Sequence, residues 1–282
     1  MSKSTTSAAP GIAAILVHAE AGSASTPRVE CAAALARDLG VPLVGLGAEA
    51  FDPIPTPDPF TGYAAGEWVA LVQEQIAKDL VIAEKNFRRD AAGADTDWRV
   101  VQDFPARALA HAARLADLIV CSPRGREGPT HAADPAEVVM TSGRPVLLVP
   151  AAGGRLKAKA IVVAWKETRE CRRAIADALP FLRKADDVIV QAACRADEVE
   201  DNTLETADVV AHLQRHGVRA RALVTEVAPE AVAAELLRVA DLNDADLIVA
   251  GAYGHSRMRE WAFGGVTDEL IHRPGCFVLL SH

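Results

Sequence analysis

Glycines at 251, 254, 264 and 265 bracket a stretch holding His255, Arg257 and Arg259, directly after the apolar run 246–250. The chemistry this spacing suits is anion binding. Without a Cβ, Gly251 and Gly254 can turn sharply and bring main-chain N–H groups against a phosphate. Gly264 and Gly265 open a predicted helix, where unpaired N–H groups and the macrodipole favour a negative group. Val266 and Thr267 follow in its first turn, and the Thr267 hydroxyl adds a donor. His255 and Arg257 place titratable or positive groups in the nine-residue span between the glycine pairs. Ala164 and Trp165 end an earlier predicted strand; Trp165 either borders a base pocket or packs in the core. The plainer alternative for the whole segment is a glycine-rich turn with solvated arginines.

Other chemistries find less support. The chain has no Gly-x4-Gly-Lys-Ser/Thr loop, no Gly-x-Ser-x-Gly elbow and no His-Glu-x2-His pair. His255 and Ser256 are adjacent, and neighbouring loop residues rarely face each other. A dedicated catalytic site is therefore not expected, and slow ATP hydrolysis is the most the segment suggests. Asp186, Asp187, Asp241, Asp244 and Asp246 sit at helix-to-strand junctions, the end of a parallel sheet opposite its ligands, and read as solvated turns. Arg169, Arg172 and Arg173, with Glu167 and Glu170 among them, read as a solvated, salt-bridged helix face. Five cysteines are scattered without metal spacing, which suits buried small hydrophobes and excludes a metal cluster. A net charge of −8 disfavours a nucleic-acid partner. No apolar run reaches the ~20 residues that span a bilayer, and residues 1–10 read as a frayed tail without a secretion signal. The expected setting is the cytoplasm.

The elements that must position the glycines come in two sets. Ala245-Asp-Leu-Ile-Val249 repeats Ala116-Asp-Leu-Ile-Val120, and at the same offset Arg273-Pro274 falls on Arg144-Pro145. Ala14-Ile-Leu-Val17 echoes Ala160-Ile-Val-Val163. Several matches in one order mark a tandem duplication, with domains at 1–150 and 160–282. Strands are predicted near 12–17, 41–46, 97–101, 117–121 and 145–149, and near 160–164, 187–191, 218–225, 246–250 and 276–280. Helices are predicted at 28–39, 65–89, 168–182, 202–216, 229–242 and 264–272. Strands separated by helices give an α/β class: two doubly wound, five-stranded parallel sheets with helices on both faces. Residues 151–159 read as a flexible linker, and the proline-rich stretch 49–62 as a loop over a site or over the other domain. In the first copy the offset turns Gly251 into Ser122, Gly264 into Pro135 and Gly265 into Ala136. Three of four glycines are lost and Pro135 has no N–H, so this copy is expected to be structural, although Arg124 and Arg126 still offer charge.

The Gly-x2-Gly-x9-Gly pattern in a duplicated five-strand unit resembles the universal stress proteins in their tandem form, over nearly the whole chain. The resemblance implies Rossmann-like domains of the adenine nucleotide alpha hydrolase-like kind, paired face to face through their last strands as an intramolecular pseudo-dimer. It further implies ATP or AMP, with or without Mg, on the glycine loop of the second copy, and a role in stress survival or regulation. ATP-binding members carry an acid just past the first strand, where this chain has Lys166, and a Ser or Thr where it has Gly265. Loss of that hydroxyl is expected to cost ~1 kcal/mol of binding. The contrasting expectation is a tandem scaffold that binds partners and no nucleotide. Association of two chains into a homodimer is left open.

Overall fold

The apolar runs become strands because they are short, β-branched and bounded by turns. The alanine-rich stretches between them keep a helical apolar period and lie across the sheet. In this computed structural model, residues 11–51, 62–123, 130–254, 265–272 and 275–282 are described. The first half runs β1 (Ile15–Ala19), α1 (Thr26–Leu39), β2 (Leu43–Ala48), α2 (Gly62–Asp90), β3 (Thr96–Val101), α3 (Pro105–Ala112), β4 (Leu118–Cys121), α4 (Pro135–Thr141) and β5 (Val146–Leu148). The second half repeats it as β6 (Ala160–Ala164), α5 (Arg169–Leu182), β7 (Asp187–Cys194), α6 (Val199–Arg215), β8 (Ala220–Glu226), α7 (Val232–Leu242), β9 (Leu247–Gly251), α8 (Gly265–His272) and β10 (Phe277–Ser281). The later turns of α2 carry its core stripe, where Ile76, Leu80, Ala83 and Phe87 are buried.

The ten described strands form one sheet, in the order β3-β2-β1-β4-β5-β10-β9-β6-β7-β8. Pairing is parallel within each half, and β5 meets β10 antiparallel. Ile119 pairs with Val146 as Ile248 pairs with Val278, so Leu147 and Leu279 are equivalent positions. They lie opposite each other across the β5–β10 ladder, and a local twofold therefore passes between them. The halves meet through their last strands, as expected, and do so edge to edge in a shared sheet rather than face to face. Two free strand edges facing each other satisfy their N–H and C=O groups most completely by pairing.

Each sheet face carries one apolar core that crosses the junction. On one face Val17, Leu147, Val163 and Leu279 pack with Val29, Phe87, Ile175 and Leu213 of α1, α2, α5 and α6. On the other, Leu16, Leu148, Val162 and Leu280 pack with Leu109, Val138, Leu236 and Leu270 of α3, α4, α7 and α8. The outer strands β3 and β8 are the free edges, and charged Asp97 and Arg99 on β3 discourage further pairing.

The linker is pinned, contrary to expectation. Asp246 accepts from the N–H groups of Lys157 (2.7 Å) and Ala158 (3.0 Å), and Leu156 and Ala158 are buried. Asp117, at the equivalent place before β4, accepts from the Ala13 N–H at 2.8 Å. These aspartates tie down main chain at the end of the sheet away from the glycine loop. Among the described residues no helix is long and apolar enough to cross a membrane.

Candidate functional site

The loop after β9 leaves the carboxyl end of the sheet between β6 and β10, where the order of connection reverses and α/β folds hold their ligands. Its first residues are tied to the protein. The Ala252 N–H donates to Ser281 O at 2.8 Å, and His282 Nδ1 lies 2.9 Å from Ala252 O. Tyr253 is buried with a φ of +54°, a left-handed conformation that a bulky side chain adopts only under constraint. Gly251 needs no Cβ for a reason the sequence did not show. A Cβ there would lie 2.5 Å from the Cys171 N and 2.7 Å from the Glu170 carbonyl carbon. The glycine lets the start of α5 sit directly on the end of β9.

Gly265, Val266 and Thr267 form the first turn of α8 at this same edge of the sheet. Among the described residues, no atom lies within 4 Å of a Cβ built on Gly265. The first copy differs at this point. There α4 starts with Pro135, and the Asp134 carboxylate accepts from the Ala136 N–H at 2.9 Å. Ala136 is the counterpart of Gly265, so in the first copy the protein's own carboxylate occupies the helix end. The matching position in the second copy is Phe263, which carries no acceptor. Three predicted site residues, His255, Arg257 and Gly264, lie outside the described residues.

Of the two readings open for Trp165 the fold takes the core one, and the reading of Glu170 changes. Trp165 is a core residue: it is 7% exposed, packs on the α5–α6 face, and donates through Nε1 to Glu205 Oε2 at 3.2 Å. Ala164, half-buried, faces the other core. Glu170 does not belong to a solvated face; it is 1% exposed and lies under the glycine turn. Arg172 does form an expected exposed pair, with Glu167, and Arg173 pairs instead with Asp177. The Glu170 misreading has a simple source, because helical charge spacing cannot reveal that β9 ends in a glycine against that helix.

Residues 157–282 match the model of the Universal stress protein family. The second copy is a universal stress protein domain. Solved structures extend the likeness to the whole chain. A universal stress protein from Archaeoglobus fulgidus DSM 4304 is 14% identical, with 97% of each chain covered and a TM-score of 0.64. A functionally unknown protein from Pseudomonas aeruginosa PAO1 is also 14% identical, with 97% of this chain and 93% of that chain covered and a TM-score of 0.58. At such identities the likeness concerns the fold: two tandem Rossmann-like units. No curated protein matches the chain in sequence.

Against the universal stress protein domain, the first copy has a filled crevice. Arg28, 5% exposed, reaches from α1 across the ends of β1 and β4. Its Nε donates to His18 O (2.8 Å), one terminal nitrogen to Ser122 Oγ (3.0 Å), and the other lies 3.2 Å from Glu20 Oε2. Ser122 is the counterpart of Gly251, so a guanidinium lies where the start of α5 packs in the second copy. His18 points its Nε2 at Ala48 O, 2.9 Å away. Burial, aided by the nearby Arg28 charge, pushes its pKa down to about 3, so the ring stays neutral. Glu49, at the end of β2, pairs with His131 at 2.9 Å; burial raises its carboxyl pKa and the His131 charge opposes the rise. Nothing in the repeat comparison flagged Arg28, because α1 and α5 align poorly in sequence at their first turns.

Proposed function

We propose that the chain is a nucleotide-binding stress-response protein whose second copy holds an adenine nucleotide, ATP or AMP, at the loop after β9. The phosphate rests on the first turn of α8, against the N–H groups of Gly265, Val266 and Thr267 and the Thr267 hydroxyl. Gly254 gives close main-chain approach, and His255, Arg257 and Gly264 complete the site on sequence grounds. One observation carries this reading: the N–H that Asp134 takes in the first copy has no carboxylate at the matching position of the second. The role is regulatory, with no dedicated catalysis, in the cytoplasm. The domains divide at 1–150 and 160–282, and the shared β5–β10 ladder makes a single chain a built-in dimer.

Thermal melting with and without AMP or Mg-ATP tests it. A ligand that binds only the folded form at a hundredfold excess over its Kd stabilises by ~2.7 kcal/mol, a shift of several degrees. Gly265→Pro removes one amide where proline is well tolerated, at a helix start, so the shift should shrink with little change in unliganded melting. An undiminished shift places the nucleotide elsewhere. The scaffold reading gains from Glu170, a carboxylate under the glycine turn; no shift with either nucleotide would leave that reading in possession.

A further inference from the structure

Glu170 is the second residue of α5, and its environment is divided. Oε1 accepts from Arg169 Nε at 2.5 Å, and the Arg169 side chain is exposed. Oε2 is buried without a hydrogen bond among the described residues. A Cβ on Gly254 would sit 3.4 Å from this oxygen, so it is directed at the glycine turn from beneath. Burial alone would raise the carboxyl pKa, yet the Arg169 contact and nearby donors outweigh it and hold the group below the usual range. The carboxylate is therefore charged at neutral pH. Thr168 Oγ1 takes the Cys171 N–H at 3.2 Å, so the start of α5 is already served by protein oxygens. The two helix starts that flank the crevice are thus unequal. One carries a fixed negative charge, and the other, at Gly265, carries none on the described residues.

We infer that Glu170 sets the ligand class of the crevice, favouring a nucleoside monophosphate over a metal-free triphosphate, with the phosphate at α8 and hydroxyl or amino donors next to Gly254. The inference rests on the nucleotide reading above. Each further phosphate brings negative charge within reach of a carboxylate that little water screens, and such repulsion fades slowly with distance. A ribose hydroxyl or an amino group beside Gly254 is drawn by the same charge instead. The first copy instead buries the cation of an ion pair, Arg28 with Glu20, against Ser122 at the matching corner, so the two crevices differ in which charge is buried as well as in glycine content.

Calorimetric titration of AMP and ATP, with and without Mg, into the full chain and into Glu170→Gln tests this. Wild type should bind AMP at least about fivefold tighter than metal-free ATP, with Mg narrowing the gap. Glu170→Gln should close most of that gap by strengthening metal-free ATP. An unchanged AMP-to-ATP ratio in Glu170→Gln overturns the inference. Arg169→Gln, an exposed change, keeps the test open should Glu170→Gln fold poorly. At a pH high enough to keep the carboxylate ionised, removing the cation beside it must widen the gap, and a constant ratio again overturns the inference. If wild type binds neither nucleotide, the nucleotide reading falls. ATP binding gained by Glu170→Gln would then still support the exclusion, and binding by neither protein would overturn both.

Discussion

Gly251 and Arg28 hold matching corners of the two copies and show how one residue decides what a crevice can do. Gly251 lets α5 rest on β9, and Gly251→Ala would drive a methyl into main chain rather than into a yielding side chain. The expected cost is ~1–3 kcal/mol, in the range of overpacked cores. Urea unfolding would measure it, and an unaltered midpoint would show that the contact is looser than described. In the first copy, His18 supplies a pH dependence. Its pKa is near 3 folded against about 6.5 unfolded, so below pH 6.5 the unfolded chain binds a proton that the native state refuses. The stability conferred by the neutral ring is present above pH 6.5 and drains away as pH falls toward 3. By linkage the loss at pH 4.5 is on the order of 2–3 kcal/mol. His18→Gln should not show it, and denaturant midpoints of the two proteins at pH 7 and pH 4.5 would reveal parallel behaviour if the idea is wrong.

At the scale of elements, the starts of α4 and α8 divide the labour of the repeat. Asp134 caps α4, and Asp134→Ala should cost ~1 kcal/mol, read from the same unfolding curves. Restoring a free amide there should not by itself confer phosphate binding, because Pro135 still lacks an N–H and Arg28 still fills the corner. The α/β alternation, the ten described strands and six of the described helices were legible from period and turn residues, whereas the short α3 and α4 received no predicted range. Val218 and Thr168 fall just outside β8 and α5, the usual drift of an end residue. Residues 151–159 show the limit of such reading. Small and charged composition suggested freedom, yet Asp246, far along the sequence, holds two of its amides.

For the whole molecule, the shared ladder and the two cores that cross it predict a single cooperative unfolding transition. Each half buries Leu147 or Leu279 against the other, so neither loses its fold without opening the junction. Differential scanning calorimetry should return calorimetric and van't Hoff enthalpies in close agreement; two resolved transitions would mean that the halves melt independently.

The residues by themselves determined the duplication, the α/β class and the loss of three glycines in the first copy, since each is a matter of type and spacing along the chain. They also marked Gly265 to Thr267 as a helix start facing the ligand end of a sheet. Only the tertiary structure decided that the halves join edge to edge, that Trp165 belongs to a core, and that Arg28 fills one crevice while Glu170 underlies the other. Those outcomes depend on which backbone lies against which side chain after folding. Burial turns an ordinary surface charge into a determinant of what an adjacent crevice will admit, and local periodicity carries no record of it.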